Sequence, residues 1–248
     1  VLNTTDLRIV SSGSVMLDNQ DNVIPGMWGD IGGNLVVTSV SPIRLGLGNP
    51  LGFAGPGDLT VRGSIRAESL TGGQFDPTCV SASCIIVHAN VFAGGSVSLY
   101  SDDLFIAPSS DAFPGTVSTG LADPIANYVM WAPSSPLTDV TLDELANIGS
   151  FIQSPRLIFG DPGNPGLIGN LNWSASIATA VELGSIQSIE AYATSIDFTG
   201  RIGDLSIGSL PVSVKFTALD AINIGTNIET SPPPCPCQYP GPCAIAVP

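Results

Sequence analysis

One short phrase recurs along the chain and limits what the chain can fold into: a glycine, one or two small polar residues, and then alternating apolar positions. Clear examples begin at Gly13 (Gly-Ser-Val-Met-Leu), Gly33 (Gly-Asn-Leu-Val-Val) and Gly95 (Gly-Ser-Val-Ser-Leu). Further copies begin at Gly57, Gly63, Gly169, Gly184 and Gly203. Alternation with a period of two buries one face of a strand, and the glycine closes the strand with a turn. The phrase therefore predicts many short strands.

Nearly every other segment also has the length and composition of a short strand. The predicted strands are Asp6–Val10, Ser14–Leu17, Asn34–Ser39, Asp58–Arg62, Ser64–Ala67, Ile85–Ala89, Ser96–Tyr100, Asp103–Ala107, Arg156–Phe159, Asn170–Ile177, Ser188–Ala193, Ser195–Thr199, Asp204–Ile207, Val212–Ala218 and Ala221–Ile224. Turns recur at intervals of roughly 8–12 residues, which is typical of a sandwich, a barrel or a solenoid. Units that cannot bury their apolar face alone stack on one another, so the loose repeat favours a solenoid. A β-sandwich with glycines at its turns is the alternative.

Two segments depart from the repeat and define the predicted organisation. Residues 108–136 contain five prolines and are predicted to form a loop insertion at one edge of a β-helix domain that covers 1–230. Residues 231–248 contain seven prolines and three cysteines. Because proline removes a donor from a strand ladder, this tail is predicted to be an extended, polyproline-like segment. With roughly 20 residues and 4.8 Å per coil, the domain would be a rod about 50–60 Å long.

The charge of the chain excludes some partners. Seven basic residues stand against 21 acidic ones, which gives a formal net charge of −14, and Lys215 is the only lysine. Scattered cations cannot build the basic patch that binding to nucleic acid or to an anionic membrane needs. Soluble helices normally carry many charged residues on their outer face, so the 11% of charged residues also weakens a helix-rich interpretation. We see no credible membrane span and expect an extracellular or cell-surface β-protein.

The five cysteines are the most informative reactive residues, and they fit an oxidising, extracytoplasmic setting. Cys79 and Cys84 are separated by four residues, a span that a small disulfide loop can close. In the tail, Cys235 and Cys237 cannot easily bridge each other, so they are expected to reach Cys243, the body or a neighbouring chain. An odd number leaves at least one thiol free or paired with another chain. A structural zinc site is the alternative use of these thiolates.

The sequence contains few residues in patterns that are typical of catalytic sites. His88 is the single histidine, so no histidine-based zinc site can form, and neither a nucleophile elbow nor a P-loop is present. Asp102 and Asp103 are the nearest approach to the acid pair of a β-helical polysaccharide lyase or hydrolase, but adjacent strand residues point to opposite faces. Calcium held by turn aspartates such as Asp161 or Asp204 is an open alternative. We expect no catalytic residue, cofactor or metal site, and therefore no enzyme.

One phrase resembles a known family. Residues 137–160, followed by Gly169-Asn-Leu-Asn, are similar to a phrase of the filamentous-haemagglutinin-like exoproteins of bacterial two-partner secretion. The matching residues are Thr141, Leu142, Glu144, Leu145, Ile148, Leu157, Phe159 and Gly160. Thr141 and Glu144 have the spacing of a capping box for a short helical turn. The family's Asn-Pro-Asn-Gly motif is matched only in part, by the four residues that begin at Asn49.

The resemblance implies a right-handed parallel β-helix that is secreted or surface-exposed and serves adhesion or filament structure. We expect a homopolymer formed by end-to-end stacking, because strand-like sequence reaches both the N-terminus and the Pro/Cys tail without an evident polar cap. The tail could then tie neighbouring subunits together through a disulfide. A carbohydrate or a cell-surface receptor is a further candidate partner. The alternatives are a carbohydrate-active β-helical enzyme and a non-polymerising fragment of a larger secreted adhesin.

Overall fold

The computed structural model describes residues 1–4, 6–24, 26–46, 57–70, 83–106, 115–120, 123, 125–141, 152–174, 176–177, 186–202 and 213–225. These residues form 21 strands and one short 3₁₀ turn, Pro165–Leu167. Every strand pair that forms a ladder among them is parallel.

The chain visits three ladders of strands in a repeating order. The first ladder contains β1 (Leu7–Ser11), β3 (Gly26–Ile31), β6 (Leu59–Val61), β9 (Asn90–Ala93), β12 (Thr116–Thr119) and β15 (Ile152–Gln153). The second contains β2 (Val15–Leu17), β4 (Leu35–Ser39), β7 (Ile65–Ser69), β10 (Val97–Tyr100), β13 (Val129–Ala132), β16 (Arg156–Phe159), β19 (Ser188–Phe198) and β21 (Ser213–Ile224).

The third ladder follows the second in each coil. Its first part runs from the start of β3 through β5 (Ile43–Leu45) and β8 (Cys84–Val87) to β11 (Asp103–Ile106). Its later part joins β14 (Thr138–Thr141) and β17 (Ile168–Trp173) to the second halves of β19 and β21. A separate pair joins β18 (Ser176–Ile177) to β20 (Arg201–Ile202). The predicted parallel β-solenoid is confirmed, and the sandwich, which is built from antiparallel sheets, is excluded.

Four copies of the glycine phrase, those that begin at Gly13, Gly33, Gly63 and Gly95, form the corner between the first and second ladders. There, Gly33 N–H donates to Gly13 O at 3.1 Å and Gly63 N–H donates to Gly33 O at 2.9 Å. The polar residue after each glycine continues the column, because Asn34 N–H donates to Ser14 Oγ at 3.0 Å and Ser64 N–H donates to Asn34 Oδ1 at 2.9 Å. Side-chain oxygens thus satisfy corner amide groups that no strand partner reaches.

The coils are longer than the sequence predicted. Corner partners Ser14 and Asn34 are 20 residues apart, but Asn34 and Ser64 are 30 apart, and Ser64 and Ser96 are 32 apart. The prediction of roughly 20 residues per coil is therefore wrong beyond the first coil. The single strand β3 serves both the third and the first ladder after the first coil, whereas later coils use separate strands such as β5 and β6 with a connection between them. Eight strands in the second ladder, about 4.8 Å apart, span roughly 35 Å instead of the predicted 50–60 Å.

Inward-facing side chains of the ladders form one continuous core. It is aliphatic in the early coils, where Leu35, Leu45 and Leu59 are completely buried. The later coils contain a chain of edge-to-face and tilted aromatic contacts, with ring centroids 5.2–6.5 Å apart. Its members are Trp131, Phe159, Trp173, Phe198 and Phe216. Such contacts add to the stabilisation that burial of the rings provides.

β3 was not predicted, because its sequence Gly-Met-Trp-Gly-Asp-Ile has two glycines and no regular alternation. Gly29 has a φ of 124°, and an added Cβ would lie 2.0 Å from the carbonyl oxygen of Ile9. Glycine within a strand marks a close backbone approach, and here the neighbouring coil supplies it.

The insertion predicted over 108–136 differs from the structure. Residues 116–119 form β12 and residues 129–132 form β13, and both strands belong to the ladders. The five prolines of this segment misled the prediction, although none of them falls within the bounds of β12 or β13. Residues 107–114, most of the predicted helical turn after Thr141 and the whole Pro/Cys tail lie outside the described residues.

Candidate functional site

The N-terminal edge of the solenoid, formed by β1 and β2, presents both apolar side chains and strand backbone. In the part of the chain that the structure describes, no strand pairs with the far side of β1 or β2. On the outer surface, Val10 is 71% exposed and Met16 is 67% exposed. The inward-facing residues pack on the core but stay half-buried; they are Leu7, Ile9, Val15 and Leu17.

The C-terminal edge is the side of β21 that faces away from β19, and within the described ranges no strand covers it. Ile222 pairs in register with Ile196, yet it is 45% exposed where Ile196 is 2% exposed. Ile224 is likewise 48% exposed above a fully buried Phe198. The inward side chains of Val214, Phe216 and Ala218 pack on the core and remain half-buried. Both edges therefore leave apolar surface that a further coil would bury.

The backbone groups at the two edges point in complementary directions. Val15 N–H donates to Asn34 O at 2.8 Å, so in a parallel ladder the N–H and C=O of Met16 point away from β4. At the other end, Ser213 N–H donates to Gln187 O at 3.1 Å, so the groups of Val214 point away from β19. Such a row of strand donors and acceptors is a template for another strand.

A polar network lies on the outer face of the second ladder near the C-terminal edge. Arg156 on β16 forms an ion pair with Glu190 on β19. Glu190 Oε2 also accepts a hydrogen bond from the hydroxyl of Tyr192 at 2.5 Å. Lys215 on β21 donates to the same Tyr192 hydroxyl at 2.9 Å and lies 5.0 Å above the centre of its ring. The network therefore links three successive coils.

The network controls the ionisation of Glu190. Burial alone would raise the pKa of this carboxyl, but the hydrogen bonds from Arg156 and Tyr192 and the charges of Arg156 and Lys215 lower it more. Its pKa therefore lies below the ordinary value of 4.5. The side chain of Glu190 is 9% exposed, so Glu190 is a nearly buried carboxylate held in its charged form.

A similar arrangement occurs nearer the middle of the same face. The guanidinium carbon of Arg66 lies 4.1 Å above the ring centre of Tyr100, and Arg66 Nη2 is 3.2 Å from Glu68 Oε2. The Tyr100 hydroxyl donates to Asp161 Oδ2 at 3.1 Å. Three of the seven cationic residues thus lie on this ladder, and each lies above a tyrosine ring.

The structure describes one of the five cysteines. Cys84 is completely buried at the start of β8 and is disulfide-bonded. Its partner lies outside the described residues, so the pairing with Cys79 stays a prediction. The tail cysteines Cys235, Cys237 and Cys243 also lie outside the described residues.

The residues considered for catalysis or calcium have structural partners. The carboxylate of Asp102 accepts hydrogen bonds from the hydroxyls of Ser134 and Ser135 and from Ser135 N–H at 2.8–3.2 Å, while Asp103 begins β11. Asp161 Oδ1 accepts from Gly163 N–H at 2.7 Å and so closes a turn. Asp204 lies outside the described residues.

His88 is half-buried, and its ring lies 5.9 Å from that of Phe105. Among the described residues, no three His, Cys, Asp or Glu side chains form a group that could hold a metal ion. Nor does that part of the chain contain a helix long and apolar enough to cross a membrane.

Comparison with protein-family models, with curated proteins and with solved structures gives no match for this chain. What the geometry defines is a parallel β-solenoid with an unpaired strand edge at each end of its described part.

The sequence did not reveal the network around Glu190. Arg156, Glu190 and Lys215 come together only through the register of the second ladder, and the coils that separate them differ in length. The one local signal is the spacing of Glu190 and Tyr192, which places both side chains on one face of a strand.

Proposed function

We propose that the protein is an extracellular structural subunit of a surface filament or adhesin, and that it assembles by adding one solenoid to the end of another. The observation that supports this most directly is the contrast between Ile196, 2% exposed, and Ile222, 45% exposed, in one inward column. A further coil on β21 would bury Ile222 in the way that β21 buries Ile196. Removing apolar surface from water is the main favourable term in such association.

The fold supports a structural role in a second way. Nearly all inward side chains of the described ladders pack in the core between the coils. On the outside, the carboxylate of Asp102, which is the nearest approach to a catalytic acid, accepts hydrogen bonds from the hydroxyls of Ser134 and Ser135. We therefore propose a non-enzymatic protein. The resemblance of residues 137–160 to filamentous-haemagglutinin-like exoproteins supports secretion and adhesion, with a carbohydrate or cell-surface receptor as partner.

Replacement of Met16 by proline tests the proposal at the N-terminal edge. The N–H of Met16 points away from β4, so proline removes a donor that the solenoid itself does not use. We expect the concentration at which the chain begins to sediment as polymer to rise about tenfold, because one strand hydrogen bond is lost and the ring crowds the incoming strand.

The matched control is Met16→Ala, which shortens the same exposed side chain and keeps its N–H. It should assemble within about twofold of the unmodified chain. Circular dichroism of both variants checks that the solenoid is retained. Isolated rods in electron micrographs of the unmodified chain, at every concentration, would contradict the proposal and favour a non-polymerising part of a larger adhesin.

A further inference from the structure

The two edges match each other in the register of the second ladder. Each coil places a polar residue, an apolar residue, an outward residue and a second apolar residue in four successive columns. In the first coil these are Ser14, Val15, Met16 and Leu17. In the last coil they are Ser213, Val214, Lys215 and Phe216. The pattern at one end therefore repeats at the other.

We propose that β2 of one copy pairs in parallel with β21 of a second copy, with Val15 opposite Val214 and Leu17 opposite Phe216. This inference rests on the proposed function and adds to it the partner surfaces and their register. The occupant of the C-terminal edge is a second copy of this chain.

Backbone chemistry supports this register. Within the chain, the apolar residue that follows each corner donates to the corner carbonyl of the next coil. Val15 N–H donates to Asn34 O at 2.8 Å, and Leu35 N–H donates to Ser64 O at 2.9 Å. The N–H of Val214 points away from β19 and occupies the same position in the pattern. In the assembled pair it donates to Ser14 O of the next copy, and Met16 N–H donates to Val214 O.

The side chains agree with the backbone. The column that begins at Ser14 contains Tyr128 and Arg156 in its middle coils, but it ends in small hydroxyl residues, since Ser213 Oγ donates to Ser188 Oγ at 3.0 Å. Ser14 of the incoming copy continues this column. Next to it, Val15 and Leu17 cover Val214 and Phe216, which both pack on the core and are only half-buried.

The outward column supplies a direct test, because it brings Met16 of one copy next to Lys215 of the other. Met16→Glu should lower the concentration needed for assembly, and Met16→Lys should raise it, each about two- to fivefold. Both effects should disappear when Lys215 is replaced by glutamine, because the charge opposite position 16 is then absent. The measurement is the sedimenting fraction of the full chain over a range of concentrations.

Val10 provides a matched control, since it is also exposed on the N-terminal edge but lies on β1 and not opposite Lys215. Val10→Glu and Val10→Lys change the net charge equally, and their effects should not depend on Lys215→Gln. If polymers form but the effect of a charge at position 16 on assembly does not depend on Lys215, this register is wrong. In that case the Pro/Cys tail or another strand covers β21, and the proposed function is unaffected. Absence of any polymer from the unmodified chain would overturn both.

Discussion

A column of glycines, Gly13, Gly33, Gly63 and Gly95, allows successive coils to approach closely at the corner between the first two ladders. An added Cβ on Gly63 would lie 2.1 Å from Asn34 Oδ1 and 2.9 Å from the carbonyl group of Gly33. The same atom on Gly13 would meet nothing within 4 Å, because no described coil lies above it. Whether an added side chain fits at one of these glycines therefore depends on the position of the glycine along the column.

This difference predicts effects of unequal size on stability for the same glycine-to-alanine substitution at two positions. Gly63→Ala should destabilise the protein by about 1–3 kcal/mol, because the corner must shift and the acceptor for Ser64 N–H is displaced. Gly13→Ala should change stability by less than about 1 kcal/mol. Urea unfolding measures both free energies of unfolding. Equal destabilisation by the two substitutions would show that the corner column does not carry the contact between coils.

The sequence predicted this column only in outline. Gly13, Gly33 and Gly63 identify the turns, and the alternation after them identifies β2, β4 and β7. Nothing local shows that Gly29 lies within a strand, because its need for glycine comes from Ile9 in the neighbouring coil. Contacts of this kind depend on which residues of neighbouring coils pair. Because the coils differ in length, this pairing cannot be inferred from the spacing of residues in the sequence.

Two long strands hold the C-terminal half of the solenoid together. β19 has 11 residues and β21 has 12, and each passes through both the second and the third ladder. The sequence predicted each of them as two shorter strands, since Thr194 and Leu219 lie near irregularities in the pairing. The outer network then ties β16, β19 and β21 to one another through Glu190.

Replacement of Glu190 by glutamine tests how much this network contributes. The substitution leaves Arg156 without its carboxylate partner, and we expect a loss of about 1–3 kcal/mol in the free energy of unfolding at neutral pH. Glu68→Gln is the control, because its ion pair with Arg66 is more exposed and should contribute less than about 1 kcal/mol. Denaturant unfolding of both variants gives the comparison.

The effect should depend on pH in one direction. The pKa of Glu190 is lower in the folded state than its ordinary value of 4.5, so the ionised carboxylate stabilises the fold at pH values above 4.5. This stabilisation is lost as the pH falls through the lowered folded-state pKa. The difference between the unmodified chain and Glu190→Gln should therefore shrink on acidification below pH 4.5. A difference that stays constant would show that the charge of Glu190 is not its source.

At the scale of the whole molecule, each coil of the described residues pairs with the coil before it and the coil after it. Stability in such a solenoid is approximately a sum of coil and nearest-neighbour terms, and only the two ends lack a neighbour. The parallel architecture follows from the repeat, as the sequence predicted. The order of the three ladders does not follow from the repeat, because the third ladder includes β5 and β14, whose sequences carry no glycine phrase.

The net charge of −14 gives a prediction for assembly. Subunits of like charge repel, and the screening length falls from about 10 Å in 0.1 M salt to about 3 Å in 1 M salt. The concentration needed for polymer formation should therefore fall severalfold as sodium chloride is added, as measured by sedimentation. Sucrose at matched osmolality separates charge screening from a general effect of cosolute. Dissolution of polymers by salt would instead indicate ion pairs across the interface.

The ladders also fix where the connecting segments emerge. Partners at the corner are separated by 20, 30 or 32 residues, yet neighbouring strands remain about 4.8 Å apart whatever the length of chain between them. A connection can therefore gain or lose residues without moving the connection in the next coil. Connecting segments of different length therefore leave the solenoid at a constant interval along its axis.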